Sequence, residues 1–168
     1  MYTSSANVGP SWGHRVFNAS VRGGALARQA RAVVEVLTGA AALGGGSLMI
    51  VRPDGSLIGL QLDLLHRTPF TDWRLPGVLL AGLVGTAFVV AGLLERAAHQ
   101  RAALVSLVAG AGLVVFELVE WWWIGFHPLQ AVFLATGSVL GASAVRALVR
   151  GVAVGVHLAS VHGVGGPR

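Results

Sequence analysis

Four apolar stretches, each close to the roughly 20 residues that an α-helix needs to cross the hydrocarbon core of a bilayer, dominate this chain and leave room for little else. They cover about residues 32–51, 77–94, 102–124 and 129–149. Arg31 and Arg52 bound the first, whose only charge is Glu35. Pro76-Gly77 opens the second and Glu95-Arg96 closes it, while the third ends in Trp121-Trp122-Trp123 and is parted from the fourth by His127-Pro128. The composition agrees, with 54% hydrophobic and 11% charged residues, about half the charge of a soluble domain. The expected fold is all-α: a polytopic membrane protein with four transmembrane helices in one bundle.

Positive charge sets the expected orientation, because arginine-rich flanks stay on the cytoplasmic side. With the N-terminus inside, nine arginines are internal (Arg15, Arg22, Arg28, Arg31, Arg96, Arg101, Arg146, Arg150, Arg168) and three are external (Arg52, Arg67, Arg74). Both termini are therefore expected in the cytoplasm, and the tryptophan cluster then falls at the outer interface, where indole rings are favoured. All 12 basic residues are arginine; with the abundance of Ala, Gly and Val this points to a high-GC bacterial genome and an inner-membrane location. The lack of lysine excludes a P-loop or Schiff-base lysine, and the lack of cysteine excludes disulfides, thiolate metal sites and a cysteine nucleophile.

Two segments flank the spans. Residues 1–31 are basic and glycine-rich, and are expected to form a floppy or interfacial cytoplasmic arm. With only Trp12 and Phe17 as aromatic partners after Met1-Tyr2, the arm suits anionic inner-leaflet lipid better than nucleic acid. Residues 151–168 form a Gly/Val/His-rich cytoplasmic tail, too short for a fifth span and carrying His157 and His162.

Stripes of small residues mark the expected contact faces, since helices associate in lipid through close backbone approach. The first span offers Glu35, Thr38, Ala42 and Gly45, the second Ala81 and Gly85, and the third Ser106, Gly110, Leu113, Glu117 and Glu120. The fourth carries a GxxxG, Gly137 to Gly141. That pair serves either packing within the bundle or a homodimer.

The first outer loop has the clearest local design. Arg52-Pro53-Asp54-Gly55-Ser56 reads as a turn, Leu57 to His66 as a short amphipathic segment, and Thr71 or Asp72 as the N-cap of the second span. Asp54, Asp63, Phe70, Asp72 and Trp73 are its candidate interaction residues. Pro53-Asp54-Gly55-Ser56, Gly59-Leu60, Leu64-Leu65, Thr68-Pro69-Phe70, Asp72-Trp73 and Pro76-Gly77, together with Glu120 to Ile124 and His127-Pro128-Leu129-Gln130, resemble the corresponding parts of a group of small, uncharacterised bacterial polytopic membrane proteins. The resemblance covers about residues 44–130. It implies a four-helix membrane protein and transfers no activity and no functional residue.

Glu117 and Glu120 are the strongest chemical candidates, because an acid inside a membrane span is a functional-site hypothesis by default. They lie one turn apart, and Glu117 sits about 24 Å along the helix from Arg101, near the outer boundary. Three roles fit them: ion pairs with Arg52, Arg67 or Arg74 that pin the loop, a proton or cation relay, and interfacial solvation. Glu35 has Arg31 available at i,i+4. His66 and His127 lack the spacing of a preformed metal site, and no cofactor is implied. With no nucleophile–base pair legible, the expected function is a non-enzymatic scaffold or accessory subunit. The alternative is a small proton- or ion-coupled transporter that uses Glu117 and Glu120 as an oligomer.

Overall fold

The computed structural model describes the backbone of residues 11–163 and the side chains of residues 23–153. Its elements are α1 (Ser11–Val51), α2 (Arg74–Arg96, with a π-helical turn over Leu80–Gly85), α3 (Ala102–Ile124) and α4 (Pro128–Gly163). Four segments of these helices are long and apolar enough to cross a membrane: Gly23–Val51, Arg74–Arg96, Ala102–Ile124 and Pro128–Ala153. No strand occurs among the described residues. The chain is thus an all-α protein with four candidate spans.

Both end helices run further than the sequence suggests. α1 is already helical at Ser11, within the expected arm, and α4 continues to Gly163, through most of the expected tail. Once a span has formed, extending it needs no new nucleus, and Ala25 to Ala32 is rich in good helix formers. The side chains of Arg15, Arg22, His157 and His162, with the lipid contacts expected of the arm, lie outside the described residues.

Each helix buries a seam with a repeat close to 3.5 residues. On α1 it is Ala32, Glu35, Gly39, Ala42, Gly46 and Met49; on α2 it is Gly77, Ala81, Val84, Phe88, Ala91 and Glu95. α3 contributes Ala102, Ser106, Ala109, Leu113 and Glu117, and α4 Gln130, Gly137, Leu140 and Ala144. A seam of this period keeps facing its partner only if the helices wind gently left-handed around each other. The opposite faces carry exposed Leu37, Leu83, Leu93, Val108, Val115 and Val139, the surface a bundle shows to lipid.

Glycine brings the backbones together. A Cβ on Gly46 would lie 2.5 Å from the Gly77 carbonyl oxygen, and one on Gly77 would lie 2.6 Å from that of Gly46. Gly39 meets Gly85 and Val89, and Gly92 meets Ala32 and Val36, so α1 and α2 are antiparallel and in close contact along their length. α3 and α4 do the same, with Gly110 against both Gly137 and Gly141. Both glycines of the GxxxG thus meet α3 within the chain. α2 joins the two hairpins by packing on α3, whereas α1 and α4 share no extended contact.

The turns explain where the helices stop. Gly125, at φ 90, takes a backbone conformation that L side chains rarely adopt and ends α3. His127 then caps α4: its Nδ1 faces the Leu129 N–H at 3.3 Å, while its own N–H donates to Gln130 Oε1 at 2.9 Å. This reciprocal box, with Pro128 as the first helical residue, satisfies helix-end donors locally. At the other end of the bundle Ala98, at φ 51, closes α2.

Candidate functional site

The loop between α1 and α2 is tied to itself before it touches anything else. Trp73 N–H donates to the Pro53 carbonyl at 2.9 Å, closing the base of the loop. Asp54 Oδ1 accepts from both Ser56 Oγ, at 2.8 Å, and Ser56 N–H, at 3.2 Å, an arrangement that holds the turn and pulls the Asp54 carboxyl below its ordinary value. Gly55 is required there: its φ is 79, and a Cβ would stand 2.5 Å from the Leu60 carbonyl and 2.9 Å from Trp73. The short amphipathic segment takes the form of two single 3-10 turns, Ser56–Ile58 and Leu62–Leu65, with Leu65 buried and Gln61, Asp63 and His66 exposed. The glycines at 55 and 59, both at positive φ, break any longer helix.

The loop's candidate residues mostly build the loop. Asp72 Oδ1 accepts from Arg74 N–H at 2.9 Å in a turn just before α2; the N-cap itself falls one residue later than expected, on Trp73, whose side chain makes no capping bond. Phe70 meets Trp123 edge-on, with centroids 5.6 Å apart, which fastens the loop to the end of α3. Trp73 is buried with Met49 and Leu65. Asp63 is exposed, and its side chain makes no hydrogen bond among the described residues.

Beneath this lid lies a cavity of about 430 Å³. Ile58, Gly59, Leu60 and Trp73 roof it; Ala42, Gly45 and Met49 of α1, Leu80 and Val84 of α2, and Leu113 and Phe116 of α3 form apolar walls. Thr38 marks its deepest reach along α1. Both α1 and α4, which share no extended contact, line the cavity, and Ala41 and Leu129 among its lining residues are exposed. The wide turn of α2 falls beside it, bringing Leu80 and Val84 to the same wall.

Glu117 and Glu120 both line this chamber, joined by Gln130 and His127. Glu117 is 4% exposed, and its Oε2 has no hydrogen-bond partner. The ion pairs to Arg52, Arg67 or Arg74 that the sequence offers do not form among the described residues; Arg52 and Arg67 are exposed in the loop and Arg74 at the start of α2, while both glutamates line the chamber. Gln130 uses its carbonyl oxygen to cap α4, leaving its amide nitrogen toward Glu120. The arrangement offers carboxyl oxygens at one end of an otherwise apolar space, the layout of a small-molecule site.

At the opposite end of the bundle, sequence reading misses a second buried acidic group. Arg31 does not pair with Glu35 at i,i+4. It reaches across to Glu95 of α2, with Nη2 at 3.0 Å from Oε1 and 3.1 Å from Oε2. Glu35 turns inward toward Ser106 of α3. The signal was present: Glu35 and Glu95 fall on the same small-residue repeats as Gly39 and Ala91. No group of three or more potential metal ligands occurs among the described residues. Comparison with known protein-family models, with curated proteins and with solved structures finds no match to this chain.

Proposed function

We propose that this chain is a non-enzymatic integral membrane protein, an accessory subunit that holds a lipid-soluble amphiphile in the chamber between α1 and α4. The observation that carries this reading is Glu117, buried with a free carboxyl oxygen on the wall of a mostly apolar cavity. A polar head that donates hydrogen bonds, such as an amine, satisfies Glu117 and Glu120, while a hydrocarbon portion lies against Leu113, Phe116 and Phe133. The cavity volume of about 430 Å³ falls within the usual span of ligand pockets, roughly 300–1,000 Å³. The gap between α1 and α4 gives such a molecule a sideways entrance from lipid.

The arginine distribution supports cytoplasmic termini, and the all-arginine, Ala/Gly/Val-rich composition supports a bacterial inner membrane; in that orientation the chamber lies toward the outer leaflet. The basic start of α1 then meets anionic inner-leaflet lipid. A test uses the full chain in lipid nanodiscs and a fluorescent long-chain alkylamine. Wild type should bind it saturably, and Glu117→Gln should weaken binding about tenfold, equivalent to about 1.4 kcal/mol. Gly45→Leu, whose side chain grows into the chamber, should abolish binding. Equal binding by all three would overturn the proposal.

A second reading is favoured by the sharing of one wall by Glu117, Glu120 and Gln130: a small proton- or ion-coupled transporter, acting as an oligomer. It requires flux through liposomes that Glu117→Gln or Glu120→Gln removes with the fold intact.

A further inference from the structure

Glu35 has no role in the chamber, yet it is the most deeply buried acid in the bundle. It is 0% exposed, and neither of its carboxyl oxygens has a hydrogen-bond partner. Every element around it can be named. Its own helix supplies Arg31, α2 supplies Glu95, and α3 supplies the Ser106 hydroxyl and no charge. α4 carries Arg146 and Arg150, and both are exposed. Ser106 Oγ is itself fully buried and faces Glu35 without closing a hydrogen bond.

One cation therefore faces two carboxyls, and that cation is committed. Arg31 Nη2 contacts both oxygens of Glu95 and neither of Glu35. An ionised carboxylate buried without a partner is among the costliest groups a protein can hold, so Glu35 must carry something that cancels its charge. The enclosed space beside a hydroxyl suits a proton. The chamber comes closest on one side. Thr38 lies one helical turn from Glu35 on the same face of α1, about 4.5 Å along the axis, and it lines the chamber. On the other side the Arg31–Glu95 pair stands between Glu35 and the end that bears the termini.

We propose that Glu35 is a proton-binding site, reached from the chamber past Thr38 and closed toward the termini by the Arg31–Glu95 pair. A proton entering from the chamber adds to a carboxylate oxygen of Glu35, and the same O–H bond breaks when the proton leaves. No other reactant is needed. The site does not depend on what the chamber holds, so it stands or falls separately from amphiphile binding.

The experiment is pH-difference infrared spectroscopy on the full chain in lipid bilayers, reading the carboxylic-acid C=O stretch and its shift in heavy water. Wild type should show a titrating acid band that survives in the Glu117→Gln/Glu120→Gln double variant and is missing from Glu35→Gln. Thr38→Val should keep the band but slow its exchange with heavy water at least about tenfold, roughly the effect of removing one hydrogen-bonding step worth 1.4 kcal/mol. If Glu35→Gln fails to fold, Glu35→Asp retains the acid and should move the band. A band that neither titrates nor exchanges marks a purely structural carboxylic acid and overturns the proposal, as does a titrating band left unchanged in both Glu35 variants. Exchange unaltered in Thr38→Val overturns the route past Thr38.

Discussion

Arg31 of α1 and Glu95 of α2 lock the two helices together through one guanidinium nitrogen placed 3.0 and 3.1 Å from the two carboxylate oxygens. The side chains are 20% and 2% exposed respectively, so the two halves of the pair are not equivalent. Removing Glu95 leaves an arginine that can turn its head toward the nearby aqueous face. Removing Arg31 leaves a buried, uncompensated carboxylate. Arg31→Gln should therefore cost about 3 kcal/mol of stability and Glu95→Gln clearly less. Reversible unfolding of both single variants and the double variant in bicelles checks the order, and equal losses would show that the pair does not act in this way.

Neighbouring glycines on α3 should respond in opposite directions. A Cβ on Gly110 would lie 2.8 Å from the Gly137 carbonyl oxygen, whereas one on Gly112 meets nothing within 4 Å. Gly110→Ala forces the α3 and α4 backbones apart, at about 1–3 kcal/mol. Gly112→Ala gains up to about 1 kcal/mol from better helix propensity. Unfolding free energies of the two variants, measured side by side, should fall on either side of wild type.

Ala98 is strained where it stands. At φ 51 it terminates α2, with His99 N–H bonded to the Leu94 carbonyl at 3.0 Å, a geometry that usually selects glycine. Ala98→Gly relieves the Cβ clash, partly offset by the greater freedom of glycine in the unfolded chain, and should stabilise the protein by roughly 0.5–1 kcal/mol. A lower or unchanged unfolding midpoint would refute this.

The Asp54 turn should loosen in acid. The Ser56 hydroxyl and amide hold the Asp54 carboxyl below its ordinary value, so its ionised form is favoured in the folded turn. That support is complete above the ordinary carboxylate range, about pH 4, and is lost as the pH falls through the lowered value of the folded state. Amide exchange at Ser56, corrected for the intrinsic effect of pH, should accelerate only on that acidic side. Ser56→Ala should raise the midpoint toward the value of a free aspartate.

The seam of α3 was readable from the sequence because small residues and acids there share one period: Ser106, Gly110, Leu113 and Glu117 are all buried. On α1 Glu35, Thr38 and Ala42 are buried as their spacing predicts, and the difference lies at the last position. Gly45 lines the chamber, and its neighbour Gly46 makes the close approach to Gly77, a distinction that a run of three glycines hides. Local spacing offers Arg31 to Glu35, but the glycines that draw α2 in put Glu95 within reach, and tertiary proximity outcompetes i,i+4 geometry. The turn at Asp54 and the Asp72 bond that leads into α2 are legible because each closes within two residues. The chamber was not, since it depends on α1 and α4 standing apart, and nothing in either helix alone specifies a gap.

α1 and α2 form one glycine-zipped hairpin and α3 and α4 another, and the cavity lies between them rather than inside either. Its walls can part or close by rocking two preassembled halves about the α2–α3 contact, with every intrahairpin backbone contact preserved. A guest can thus be admitted without unfolding a single turn. Neither hairpin alone encloses the pocket, which exists only where the two halves meet.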